Sequence, residues 1–110
     1  MSVETRPGAI NDGMVVDNYS IKTAAATLNI REQRVDCDST LGAFTVTLPP
    51  VGLAEGKFFG IYLTVDGGDI TIQDQDDSIG WDGDYTLDDV GDGYLFYSDG
   101  KSWWPIGALA

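Results

Sequence analysis

Apolar and polar residues alternate in short runs along most of this chain. Phe44-Thr45-Val46-Thr47-Leu48 places three apolar side chains on one face and two threonines on the other, the period-two pattern of a half-buried strand. Arg34-Val35-Asp36-Cys37-Asp38 repeats the pattern with Val35 and Cys37 inward. Phe58-Phe59-Gly60-Ile61-Tyr62-Leu63-Thr64-Val65 is the strongest candidate strand; its two faces both carry aromatics, which predicts a central or doubly covered position. Shorter strands are predicted at Tyr19-Ser20-Ile21, Asp69 to Gln73, Tyr85-Thr86-Leu87, Gly93 to Ser98 and Ser102 to Ile106. Lys22 to Ile30 is ambiguous: three alanines favour a helical turn, while Leu28 and Ile30 are spaced as in a strand.

Punctuation between the runs supports the same class. Pro49-Pro50 must end the strand before it, because proline lacks an amide hydrogen and restrains its predecessor. Asp66-Gly67-Gly68-Asp69 and Asp99-Gly100 read as hairpin turns. Fourteen glycines and turn signals every 8–12 residues predict an all-β fold, a small antiparallel β-sandwich or barrel-like meander, with no clear internal repeat. The predicted β-domain covers 19–110. Residues 1–18 carry Val3, Ile10, Met14 and Val15 without periodicity and read as an extended N-terminal arm.

Charge narrows the function classes. The net charge is −12, and between Phe58 and Gly100 there is no basic side chain. Binding to nucleic acid or an anionic membrane draws on lysine and arginine that this chain lacks, so neither is expected as a direct partner. The polar opening, Met1 to Gly8, predicts no secretory leader, and no segment has the length of a membrane span. The lone Cys37 lies between Asp36 and Asp38, which disfavour a thiolate, so a small core residue is expected rather than a nucleophile.

Catalytic chemistry finds little to work with. There is no histidine, no nucleophile elbow and no phosphate-cradling glycine loop. No enzyme activity, cofactor or metal is expected. The acidic loop from Asp74 to Asp84 places Asp74, Asp76 and Ser78 at the alternate spacing of a calcium loop. However, Ile79 occupies the place of the required glycine and no glutamate follows. Solvated turns using Asp for local hydrogen bonds are the simpler reading. Trp103 and Trp104 are adjacent, so on a strand one enters the core and the other faces solvent, a subunit or a sugar ring. The expected partner contacts are Val3, Arg6, Ile10, Met14 and Val15 of the arm, together with Trp103 and Trp104; the acidic C-terminal half is expected to form a solvent-facing sheet.

Three blocks carry a resemblance. Phe44-Thr45-Val46-Thr47-Leu48-Pro49-Pro50, Gly56-Lys57-Phe58-Phe59-Gly60-Ile61 and Tyr97-Ser98-Asp99-Gly100-Lys101-Ser102-Trp103-Trp104 resemble, in that order, modules of small β-domains in tailed-bacteriophage virion proteins of the head-decoration and tail-fibre kind. The resemblance spans about residues 34–106. It implies a viral structural protein, a homo-oligomer and often a trimer, with no catalytic residues. A chain of 110 residues without a fibre shaft fits a capsid decoration, or cement, protein that binds the major capsid protein. Its expected place is the capsid surface after synthesis in the host cytoplasm. A receptor- or carbohydrate-binding fibre module is the alternative, and the acidic bias also fits adaptation to a salty habitat.

Overall fold

A computed structural model describes residues 19–81 and 83–108. Among them there is no helix. The described residues form nine strands: β1 (Tyr19–Lys22), β2 (Ala26–Thr27), β3 (Arg34–Asp38), β4 (Phe44–Leu48), β5 (Phe58–Val65), β6 (Ile70–Asp74), β7 (Tyr85–Leu87), β8 (Gly93–Ser98) and β9 (Trp103–Ala108). The fold is all-β.

The strands divide into a five-stranded sheet, ordered β1-β3-β5-β8-β9, and a four-stranded sheet, ordered β2-β4-β6-β7. From β1 to β6 the chain alternates between the sheets, so each strand pairs with the one laid down two earlier. These pairings are parallel: β1 with β3, β3 with β5, β2 with β4 and β4 with β6. Only the last third folds back antiparallel, β6 with β7 and β5 with β8 and then β9. Both sheets are therefore mixed, which corrects the expected antiparallel meander. Neither sheet closes into a barrel.

The corner after β5 explains the error. Asp66 to Asp69 is not a hairpin but a crossing from one sheet to the other. Its glycines are there for close approach: a Cβ on Gly67 would sit 2.3 Å from the Ser39 carbonyl oxygen, and one on Gly68 would sit 2.4 Å from the Ala43 nitrogen. The buried Ser39 hydroxyl ties the two stacked corners together. It accepts from the Gly67 and Gly68 amides at 2.9 and 3.1 Å and lies 2.7 Å from the Gly68 carbonyl. The Asp99-Gly100 signal does form a hairpin, joining β8 to β9 with Gly100 at φ 90°.

The inward residues of both sheets form one cluster, including Val35, Cys37, Val46, Leu48, Phe59, Ile61, Leu63, Ile70, Ile72, Leu87, Phe96 and Trp103. One flank of the cluster is aromatic: Trp81, Tyr85, Tyr94 and Phe96 meet with ring centroids 4.8 to 5.9 Å apart, a geometry that adds to their area burial. The other flank is polar. Lys22 of β1, on the core side beside Cys37, pairs with Glu32 at 2.5 Å. Burial raises the Glu32 carboxyl, but the Lys22 ammonium and the Asn29 amide outweigh it and hold the group below its ordinary value.

Candidate interaction surface

The two sheets present unlike outer faces. Strand alternation and register place Thr27, Thr47 and Gln73 in one row across the four-stranded sheet, and Thr45, Thr71 and Thr86 in the next. That face is uncharged and hydroxyl-rich, with a shallow groove of about 370 Å³ bordered by Thr27, Thr45, Thr47 and Gln73. The five-stranded sheet carries instead the rows Phe58–Tyr97–Trp104, Tyr19–Arg34–Gly60–Leu95 and Ile21–Asp36–Tyr62–Gly93. Phe58 and Trp104 stay 48% and 42% exposed, and Ile21 and Ile106 more so, at 59% and 55%. Exposed apolar residues scattered singly need no explanation, but a face that gathers them does.

Sequence accounts for the packing on this face. Tyr62 lies across Gly60 and Gly93; a Cβ on Gly93 would be 2.5 Å from the Tyr62 ring. Arg34 stacks on the Tyr62 ring, its guanidinium carbon 4.2 Å from the centroid, and its Nε donates to Asp36 at 3.0 Å. The Tyr19 hydroxyl donates to the other Asp36 oxygen at 2.8 Å, which raises the Tyr19 phenol above its ordinary value. Arg34 and Asp36 are thus matched to each other within the face. At the other side Phe58 and Tyr97 pack at 4.9 Å, and Trp104 follows Tyr97 in register. The Trp104 indole is held by its own hydrogen bond, Nε1–H donating to Asp99 at 2.9 Å. That bond, with the Lys101 and Ser102 amides, keeps the Asp99 carboxyl below its ordinary value.

Trp103, expected among the partner contacts, is fully buried. It stands edge-on to Phe59 at 5.3 Å and donates from Nε1 to the Pro49 carbonyl at 3.3 Å. Trp103 is a core residue, and Trp104 alone of the pair reaches the surface. Val3, Arg6, Ile10, Met14 and Val15 lie outside the described residues. Tyr19, Ile21, Arg34, Phe58, Tyr62, Tyr97 and Ile106 belong to the same face as Trp104 but were not foreseen. The even-numbered side of β5 was the available signal, yet it names a face only once the neighbouring strands are known.

The acidic residues also fall elsewhere than expected. Asp66 and Asp69 sit at the β5–β6 corner, Asp76, Asp77 and Asp84 between β6 and β7, Asp88, Asp89 and Asp92 between β7 and β8, and Asp99 at the last hairpin. Among the described residues, the aspartates of the C-terminal half rim the sheet ends and leave the outer faces, so they form no acidic sheet. Aspartate concentrates at turns because its carboxylate satisfies local amides. Asp74, at the end of β6, is buried and accepts from the Ser78 amide and hydroxyl at 2.8 and 2.6 Å and from the Asp76 amide at 2.9 Å. Asp76 in turn accepts from the Val51 amide at 2.7 Å. These carboxylates brace the loop rather than converge on a cation. Among the described residues, Asp88, Asp89 and Asp92 do bring carboxylate oxygens within 4.8 Å of one another, but Asp92 serves there as acceptor for the Asp89 amide at 3.1 Å.

Cys37 is buried, and desolvation, followed by the charge of Asp36, pushes its thiol up to about 12; a thiol so placed is inert. Compared with known proteins, the chain matches no family model and no curated protein.

Proposed function

We propose that this chain is a structural protein of a virion, of the capsid-decoration kind, that works by non-covalent packing through the outer face of its five-stranded sheet. The observation that supports this is the contrast between the outer faces: one is built of threonine and glutamine, the other of Phe58, Tyr97, Trp104, Ile21 and Ile106 around an internally paired Arg34–Asp36. Aromatic side chains flanked by aliphatic ones, with few free charges, are the composition of a protein–protein contact. The two layers are read as a wound sandwich, stiff enough to present that face without rearrangement. No catalysis, cofactor or nucleic acid enters this reading. The virion setting and the major capsid protein as a partner rest on the phage-like blocks between residues 34 and 106, with the acidic loops facing solvent on the capsid surface.

A carbohydrate-binding module is the second reading, favoured by the exposed and pre-oriented Trp104 indole. Its weakness is polar: Asp99 is already engaged by Trp104, Lys101 and Ser102, and Asp36 by Arg34 and Tyr19. Peptide mass spectrometry on purified particles from a phage encoding this chain tests the proposal. The chain is expected in stoichiometric amounts, and its absence from particles would refute the role. Binding to a glycan array, abolished by Trp104→Ala, would instead favour the second reading.

A further inference from the structure

We infer that residues 19–32 form a strap that swings away from the rest of the folded domain as one unit, hinged before Gln33, and so uncovers Cys37. The inference is independent of the virion reading and rests on what ties the strap to the body.

The ties are few. β1 and β2 are end strands of their sheets, so each is paired along one edge only. β1 meets β3 over four residues, Tyr19↔Arg34 to Lys22↔Cys37, and β2 meets β4 over two. Beyond these ladders the Leu28 amide donates to the Thr47 carbonyl at 2.8 Å, and the Tyr19 hydroxyl donates to Asp36 at 2.8 Å. Tyr19 is exposed, so water takes over that bond when it breaks.

Burial points the same way. The core-side positions of β1 are Ser20 and Lys22, where β3 places Val35 and Cys37 and β4 places Val46 and Leu48. Among residues 19–32, Leu28 alone is buried. A segment with so little apolar burial opens at the low end of the local free-energy range, well before the core strands do.

The strap also carries its own polar partners. Lys22 pairs with Glu32 at 2.5 Å, the Asn29 amide donates to Glu32 at 3.0 Å, and the Arg31 amide donates to the Asn29 side chain at 2.8 Å. These residues all lie within the strap, so its departure strands no charge in the core. Gln33 belongs to the body. Its side-chain amide donates to the Phe58 carbonyl at 3.0 Å, and its own carbonyl accepts from the Gly60 amide at 2.8 Å. That double anchor to β5 sets the hinge between Glu32 and Gln33. Opening removes the strand beside the fully buried Cys37, while β3 keeps its pairing with β5 and β4 with β6.

Iodoacetamide labelling of Cys37, run beside amide hydrogen exchange across sub-denaturing urea, tests this on the intact chain. Labelling is expected to be slow and to depend only weakly on urea, with the Leu28 amide opening in the same step. Amides of β5 and β8 are expected to exchange by global unfolding, with its full urea dependence. Leu28→Ala should speed labelling at least about tenfold, since it removes the strap's one buried anchor. Phe96→Leu, in the body, should speed exchange in β5 and β8 yet leave labelling unchanged, because the strap-open and strap-closed forms lose that packing equally. Wild-type labelling that carries the urea dependence of global unfolding overturns the inference without recourse to any variant. Labelling sped by Phe96→Leu as much as β5 exchange, or insensitive to Leu28→Ala in protein that keeps its native circular dichroism, overturns it equally.

Discussion

Replacing Ser39 by alanine tests how the stacked corners hold the two sheets in register. Its hydroxyl is fully buried and lies between the β3–β4 corner and the β5–β6 corner, accepting from the Gly67 and Gly68 amides and reaching the Gly68 and Val65 carbonyls at 2.7 and 3.1 Å. Ser39→Ala removes one oxygen and little volume, so the cost is that of the hydrogen bonds. Gly67 is exposed, and water can replace its bond; Gly68 is half-buried, and its amide and carbonyl are less easily repaid. At about 1 kcal/mol for each bond lost, and somewhat more where the group stays dry, the change is roughly 2–3 kcal/mol. For a domain of this size that corresponds to a fall in Tm of about 10–20 °C. Urea and thermal unfolding followed by circular dichroism give both numbers. Thr71→Ala, on the outer face of the four-stranded sheet, serves as control and should stay within about 0.5 kcal/mol. If Ser39→Ala were equally mild, the corner would not depend on this hydroxyl, and the account of why Gly67-Gly68 crosses between sheets would fail.

Further outcomes follow from single residues. Cys37 should resist a thiol reagent in native protein at pH 8 and react fully in urea, because its pKa is pushed up to about 12 by burial; fast native labelling would contradict its placement. The Asp99 carboxyl is held below its ordinary value, so its bond to Trp104 is intact above the usual carboxylate range and is lost as pH falls through the lowered folded pKa. Trp104 fluorescence should therefore change only in that acid window, and Asp99→Asn or Trp104→Phe should remove the change. Gly93→Ala should lift the Tyr62 ring, since the new Cβ would lie 2.5 Å from it, and cost roughly 1–3 kcal/mol by overpacking; wild-type stability would count against the close packing of Tyr62 on Gly93. Added calcium should leave Tm unchanged, because Asp74 and Asp76 already serve backbone amides; a rise of several degrees would mean that these carboxylates turn to a cation.

The strands were legible because period two is a local signal. β3, β4, β5, β7 and β8 begin and end where alternation and the glycine or proline stops put them. Their partners were not legible. Whether β5 turns back on itself or crosses to the other sheet depends on what Gly67-Gly68 packs against, and Ser39 lies 28 residues away from the nearer of them. The same gap hid the interaction face. Trp103 and Trp104 had to diverge, but which one left the core depended on Phe59 and Pro49 waiting on the inner side. Phe58, Tyr97 and Trp104 become one row only when β5, β8 and β9 are neighbours in register. The acidic C-terminal half misled for a related reason: its aspartates cap turns, so composition by segment said nothing of composition by face.

Hydroxyl-radical footprinting of the chain, dilute and in its assembled form, tests the central claim most directly. Oxidation of Phe58, Tyr97, Trp104 and Ile106 is expected to fall several-fold on assembly, while Leu41, Leu53 and Ile79, exposed on loops away from the face, keep their dilute rates. Equal oxidation of Trp104 in both states, or protection confined to the loops, would contradict the assignment of the outer face of the five-stranded sheet as the surface through which this protein works.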